Sequence, residues 1–176
     1  MLRQISEKIS LAPLLISDAP TIFNLVEHSR DILQQYLYWV STVTDISTTE
    51  QYIATRINSG LPDAQWYKVY FEQEISGIFA IKSIDKQSQV AELGYWLSTA
   101  VQGNGIIDQI IQALPRILES TPAKIIEFRC LTMNFAIIGV AQKAGAVLVD
   151  CLPKFMEANN KMQDLNIYQV ALKDIK

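Results

Sequence analysis

A chain of 176 residues, about half of them apolar and about a fifth charged, has the material for one domain with a substantial core. Its formal charge of -3 gives no general attraction to nucleic acid or to anionic lipid, and no apolar run approaches the ~20 residues that span a bilayer. The start, Met1 to Gln4, lacks a signal-peptide core, so the expected location is the cytoplasm, with Cys130 and Cys151 as free, mostly buried thiols and no metal site.

In chain order, Ile9 to Leu15 reads as a first strand in which Pro13 favours an edge or an end. Ser17-Asp18 offers an N-cap, and Ile22, Phe23, Leu25 and Val26 follow at helical spacing. A second amphipathic piece is predicted over Ile32 to Val40, carrying the aromatic cluster Tyr36, Tyr38 and Trp39. Ser47 with Glu50 has the capping-box pattern and predicts a third helix through Ile57 that stops near Gly60.

Three β-rich runs follow, Trp66 to Phe71, Ile75 to Ile84 and Gln89 to Leu97, joined by short polar turns that imply antiparallel hairpins. The last run ends in a glycine turn, Gln102-Gly103-Asn104-Gly105, that opens a helix with apolar residues at Ile106, Ile107, Ile110, Ile111, Leu114, Ile117 and Leu118. Pro115 predicts a kink or an early end there. Ile125 to Leu131 reads as a strand parallel to the one before the helix, because a helical crossover separates them. Asn134 opens another helix that ends at Gly145. The tail supplies a strand near Val147 to Leu152, a polar loop over Glu157 to Lys161 and a last strand over Asn166 to Leu172. The result is an α/β domain with a mixed sheet.

A strand that runs through a glycine turn into a helix gathers unpaired N–H groups and the positive end of a helix dipole, which together attract phosphate. The same turn also occurs without any ligand. Around it, Ala91-Glu92-Leu93-Gly94-Tyr95-Trp96-Leu97 and Gln102-Gly103-Asn104-Gly105-Ile106-Ile107 resemble the acetyl-CoA-binding segment of the GNAT N-acetyltransferases, whose pattern is Gln/Arg-x-x-Gly-x-Gly/Ala, in the RimJ/RimL-type branch. Ser17-Asp18-Ala19, Tyr38-Trp39, Asn134, Lys143-Ala144-Gly145 and Asp164 to Tyr168 extend the resemblance along nearly the whole chain.

The resemblance implies an antiparallel N-terminal meander, two splayed parallel central strands and helices on both faces. It also implies acetyl-CoA as cofactor and an amine acceptor, either a protein N-terminus or a small molecule, with a homodimer as the family's common state. Gln102, Gly103, Asn104, Gly105, Ile106 and Ile107 would then hold the diphosphate through backbone N–H groups. Tyr95, Trp96 and Leu97 would take the pantetheine arm as an added strand, the N–H of Leu97 or its neighbour would face the developing oxyanion, and Asn134 would orient the thiol end.

Glu92 is the candidate base, because a carboxylate desolvated in an apolar strand accepts a proton more readily near neutral pH. Its alternative is a surface position or an ion pair with Arg129. Tyr36, Tyr38 and Trp39 would line the acceptor surface, and Tyr168 would touch acceptor or thiol, with simple packing as the alternative for all four.

Several residues depart from the family's pattern. Asn104 stands where a cation is common, Ile107 where a small residue is common, and Ala12 where an Arg is usual. Gly145-Ala146 replaces Gly-Phe, and Ile137 stands where a serine can assist the leaving thiolate. Two rivals stay open, the first motivated by the missing serine at Ile137. One is an acyl-CoA-binding or protein-interaction module that has lost transfer. The other is an aminoglycoside-type acetyltransferase, which would need an acidic cleft built from residues such as Glu50, Glu72 and Glu74.

Overall fold

Short polar connections fold the middle of the chain back on itself twice, and the sheet grows from those hairpins. The computed structural model describes residues 2–176. The chain runs β1 (Arg3–Gln4), β2 (Ile9–Pro13), α1 (Ala19–Leu33), α2 (Ile46–Ile57), β3 (Gln65–Phe71), β4 (Glu74–Asp85), β5 (Val90–Leu97), α3 (Ile106–Ile117), β6 (Ile125–Leu131), α4 (Phe135–Lys143), β7 (Val147–Ala158) and β8 (Lys161–Ala171). Eight strands form one sheet in the order β1-β2-β3-β4-β5-β6-β8-β7. Every neighbouring pair is antiparallel except β5 with β6, which the α3 crossover makes parallel.

Helices cover both faces. On one, Ile22, Val26 and Leu33 of α1 and Tyr52 and Ile53 of α2 pack with Trp39, Val40, Ile78 and Trp96. On the other, Ile106, Ile107, Ile110, Ile111 and Leu114 of α3 meet Phe79, Ile81, Leu93, Leu97 and Phe128. The strand alternation of β5 sends Trp96 to the first face and Leu93, Tyr95 and Leu97 to the second.

Some local expectations are corrected. The N-cap side chain of α2 is Asp45, whose Oδ1 accepts from Thr48 N–H at 2.7 Å, ahead of the Ser47–Glu50 pattern. Asp18 stands at the N-cap of α1 without bonding into it; its carboxylate takes Leu15 N–H and the Lys68 ammonium instead. No separate helix covers residues 32–40: α1 absorbs Ile32 and Leu33, and a 3-10 segment, Tyr38–Thr42, carries Tyr38 and Trp39 of the aromatic cluster. Pro115 lies in the last turn of α3, where the helix runs only to Ile117.

The expected polar loop over Glu157 to Lys161 is the tip of a long hairpin. Asn159 and Asn160 both have positive φ (54° and 58°), as a two-residue hairpin turn requires. Cys130 is buried, but Cys151 is exposed on β7, contrary to the expectation for both thiols.

Gly77 sets the contact between β4 and β5. A Cβ there would lie 2.2 Å from the Trp96 carbonyl oxygen and 2.9 Å from Leu97 Cα, and both are backbone atoms. Gly77→Ala is therefore expected to cost about 2 kcal/mol through overpacking. Thermal unfolding should read this as a Tm lower by roughly 4–8 °C; an unchanged Tm would contradict the contact.

Candidate functional site

The site begins where the two parallel strands part. β5 and β6 pair only at Val90↔Ile125, Ala91↔Ile126 and Glu92↔Glu127. Beyond that point β5 stays with β4 as far as Gly77↔Leu97, and β6 stays with β8 as far as Leu131↔Leu165. Each half follows its antiparallel partner, and a gap opens between them.

Ser98 N–H donates to Ser76 O at 2.8 Å, so alternation turns the backbone of Leu97 and Tyr95 toward the gap. The Leu97 carbonyl already accepts from Gln102 Nε2 at 3.1 Å. This narrows the expected strand addition over residues 95–97: Trp96 faces β4, the next N–H, that of Ser98, is consumed, and Leu97 N–H with the backbone of Tyr95 is what faces the gap.

At the end of β5 the chain turns through Gly103 (φ 84°) and Gly105 (φ 66°), a conformation in which a side chain is strained. Gly105 is the N-cap of α3 and supplies no side-chain cap. None of the backbone N–H groups of residues 102–108 finds an acceptor among the described residues. They border a cavity of about 410 Å³ lined by Leu97, Gln102, Gly103, Gly105, Ile106 and Ile107. Asn104 lies outside the lining and closes the turn, donating from Nδ2 to Val101 O at 2.9 Å.

Two charged residues of this cavity escape a reading of the sequence. Lys143, in the last turn of α4, pairs with Asp108 in the first turn of α3, and both line the wall. Lys143 thus puts a cation beside the turn in place of the one missing at Asn104. Lys143→Ala should raise the KM for acetyl-CoA about fivefold with kcat little changed, which steady-state kinetics at low salt can check.

A second cavity, about 470 Å³, adjoins the gap. Tyr36, Tyr38 and Trp39 line it together with Tyr52, Trp66 and Trp96. Trp39 stacks on Tyr52 with ring centroids 4.3 Å apart, and Trp96 Nε1 donates to the Tyr52 hydroxyl at 3.4 Å. Burial pushes the Tyr52 phenol up to about 12. Tyr36, Tyr95, Trp96, Asn134 and Ile137 line both cavities, so the two spaces meet across the gap.

Glu92 enters this second cavity as part of an ion-paired cluster, with Arg129 the partner named as the alternative to a desolvated base and Lys82 a second cation that the sequence does not mark. Lys82 Nζ donates to Glu92 Oε1, and Arg129 Nε lies 3.8 Å from Oε2. A register shift between Ile81 and Ser83 leaves Lys82 as an extra residue in β4, and that bulge aims its stem across Gly94 toward Glu92. Arg129 is also bound by Glu127 at 2.7 Å, a contact that raises the guanidinium above its ordinary value.

Asn134 is buried and caps α4, its Oδ1 accepting from Ile137 N–H at 3.4 Å. The Tyr95 hydroxyl is buried with no partner among the described residues, and desolvation raises it well above the usual phenol range. Tyr168, by contrast, lines neither cavity: it stands opposite Phe128 in the core, which corrects its expected place at the acceptor. His28 is exposed and bonds back to Asn24 O at 2.7 Å. Glu50, Glu72 and Glu74 are absent from the second cavity's wall, whose one carboxylate is Glu92. An acidic cleft for a polycation is therefore not built there.

A family model described as "Acetyltransferase (GNAT) domain" matches residues 8–147. The ribosomal-protein-serine acetyltransferase of Escherichia coli (strain K12) is 27% identical over 169 residues, covering 94% of this chain and 93% of that protein. Among solved structures, RimL, a ribosomal L7/L12 alpha-N-protein acetyltransferase in complex with coenzyme A, superposes with a TM-score of 0.89 at 26% identity, over 97% of this chain and 98% of its own. The microcin C7 self-immunity acetyltransferase MccE, in complex with acetyl-CoA and AMP, shares the fold with a TM-score of 0.84 at 23% identity, over 95% of this chain and 94% of its own. With the splayed strands, the uncapped glycine turn and a family match over most of its length, this chain belongs to the GNAT acetyltransferases.

Proposed function

We propose that this enzyme moves an acetyl group from acetyl-CoA to the α-amine of a protein N-terminus. The observation that carries the reading is the pair of cavities meeting at a gap whose edge is unsatisfied backbone. Free N–H groups of residues 102–108 and Lys143 suit a diphosphate, and the buried, unpartnered Tyr95 hydroxyl marks a place where a polar chain fits between the strands. The bound thioester supplies an activated acyl carbonyl with a thiolate leaving group.

The chain's own residues do the rest. Leu97 N–H faces the gap and would donate to the carbonyl oxygen on which negative charge develops. Glu92 stands three residues from Tyr95, roughly 10 Å along an extended strand, so a proton from the amine reaches it through water. Neither cysteine lines either cavity, and burial pushes the Cys130 thiol up to about 12, which leaves direct attack by the amine as the route. Tyr95, kept protonated by burial, offers an O–H near the seam where Ile137 offers none.

The acceptor class draws support from the named activities of the relatives, which act on ribosomal-protein serine and on an L7/L12 α-amine. A protein N-terminus as acceptor sets the work in the cytoplasm. A homodimer fits the long, exposed β7 edge with Val147, Leu148 and Val149 outermost.

The direct test mixes enzyme, acetyl-CoA and a serine-initiated peptide, and follows free thiol together with acetylated peptide by mass spectrometry. Equal amounts of both products are expected. Cofactor binding by calorimetry without thiol release across an amine panel would instead favour the non-catalytic module, the reading that Ile137 on both cavity walls motivates.

A further inference from the structure

The second cavity carries more positive charge than the proposed chemistry needs. Arg56, Lys82 and Arg129 line it against the single carboxylate of Glu92, in a chain whose formal charge is -3. Lys82 and Arg129 are committed to Glu92 and Glu127. Arg56 has no carboxylate partner among the described residues.

Arg56 is held in place by rings. Its Cζ lies 5.0 Å from the centroid of Tyr52 and 5.8 Å from that of Trp66, so the guanidinium is fixed over two aromatic faces at the cavity wall. Beside it, Trp66 Nε1 is buried with no hydrogen-bond partner among the described residues. A guanidinium without a counter-ion and an indole N–H without an acceptor, on two residues that line the same cavity, are donors suited to an anion. The position is distinct from the diphosphate end, which lies in the other cavity.

We propose that Arg56 and Trp66 form a subsite for a carboxylate carried by the acceptor, so that the preferred substrate is a peptide whose N-terminal residue is followed closely by Asp or Glu. The proposal rests on the N-terminal acceptor reading above. It also accounts for the cationic lining, since the same charges that welcome an acidic side chain disfavour a protonated amine and a lysine-bearing peptide at the mouth.

The test uses short amidated peptides that begin with serine and carry Glu, Gln or Lys at the second and third places. With the unaltered enzyme, kcat/KM for the Glu peptide should exceed that for the Gln peptide at least tenfold, with the Lys peptide lowest. Arg56→Gln should shrink the Glu-over-Gln ratio to below threefold, and Arg56→Lys should keep part of it. A ratio below twofold in the unaltered enzyme, or one that survives Arg56→Gln, overturns the subsite.

If no peptide is acetylated, calorimetric titration of the same peptides into CoA-loaded protein separates the two ideas. Arg56-dependent binding of the Glu peptide keeps the subsite and removes the transfer reading. Absence of binding by all three removes both.

Discussion

Glu92→Gln is expected to lower kcat about 10²- to 10³-fold while leaving the Kd for acetyl-CoA within twofold, because the substitution keeps shape and removes only the capacity to take a proton. The difficulty is that Glu92 also holds Lys82 and Arg129. Both cations are about two-fifths exposed, so losing their partner costs less than about 1 kcal/mol and the fold stands. A pH–rate profile distinguishes the roles.

An α-amine loses its proton near pH 7.7–8.0 by itself. A missing base therefore matters most below that range, and the deficit of the variant should shrink above about pH 9. A deficit that is constant from pH 6 to 10, accompanied by a lower Tm, would make Glu92 a residue that positions the two cations instead.

The second large effect is at the glycine turn. Gly103→Asp should weaken acetyl-CoA binding by 10²- to 10³-fold, measured by calorimetry. A carboxylate ~4–5 Å from a diphosphate at an effective dielectric near 20 is repelled by about 3–4 kcal/mol. Nothing lies within 4 Å of a Cβ built at Gly103, so the change introduces no clash, although φ of 84° strains any side chain. Gly103→Asn bears the same strain without the charge and is the control: it should lose less than tenfold, with the same small drop in Tm. Equal losses for the two variants would show that backbone strain, not charge, governs the turn, and the diphosphate assignment would fail.

What the sequence makes legible follows from how local each signal is. Hairpins with short polar turns, the apolar stripe of α3 and the glycine turn are set by residues adjacent in the chain, and the strand boundaries of β3 to β6 fall within a residue or two of the reading. The splay between β5 and β6 is reached only through resemblance, since no period in either strand says where pairing stops.

Charge placement is the least visible. Lys82 reaches Glu92 because one residue of β4 is extra, and nothing in Ile81-Lys82-Ser83 marks which. Arg56 reads as an ordinary last-turn cation of α2, and its two aromatic neighbours include Trp66, which lies on a different element. Tyr168 is the opposite case: a polar tip on a late strand suggests substrate, while its neighbours Phe128 and Leu148 make it packing.

The two cavities meet at the seam, yet each keeps a wall the other lacks, the glycine turn and Lys143 in one and Arg56, Glu92 and Arg129 in the other, so the two proposed reactants occupy separate spaces. Turnover is then expected to proceed through a complex holding both at once, and double-reciprocal plots should converge instead of running parallel. A single molecule threaded through the seam, with a CoA portion at one end and an acidic peptide at the other, would occupy both mouths and act as an inhibitor shaped by the sheet itself.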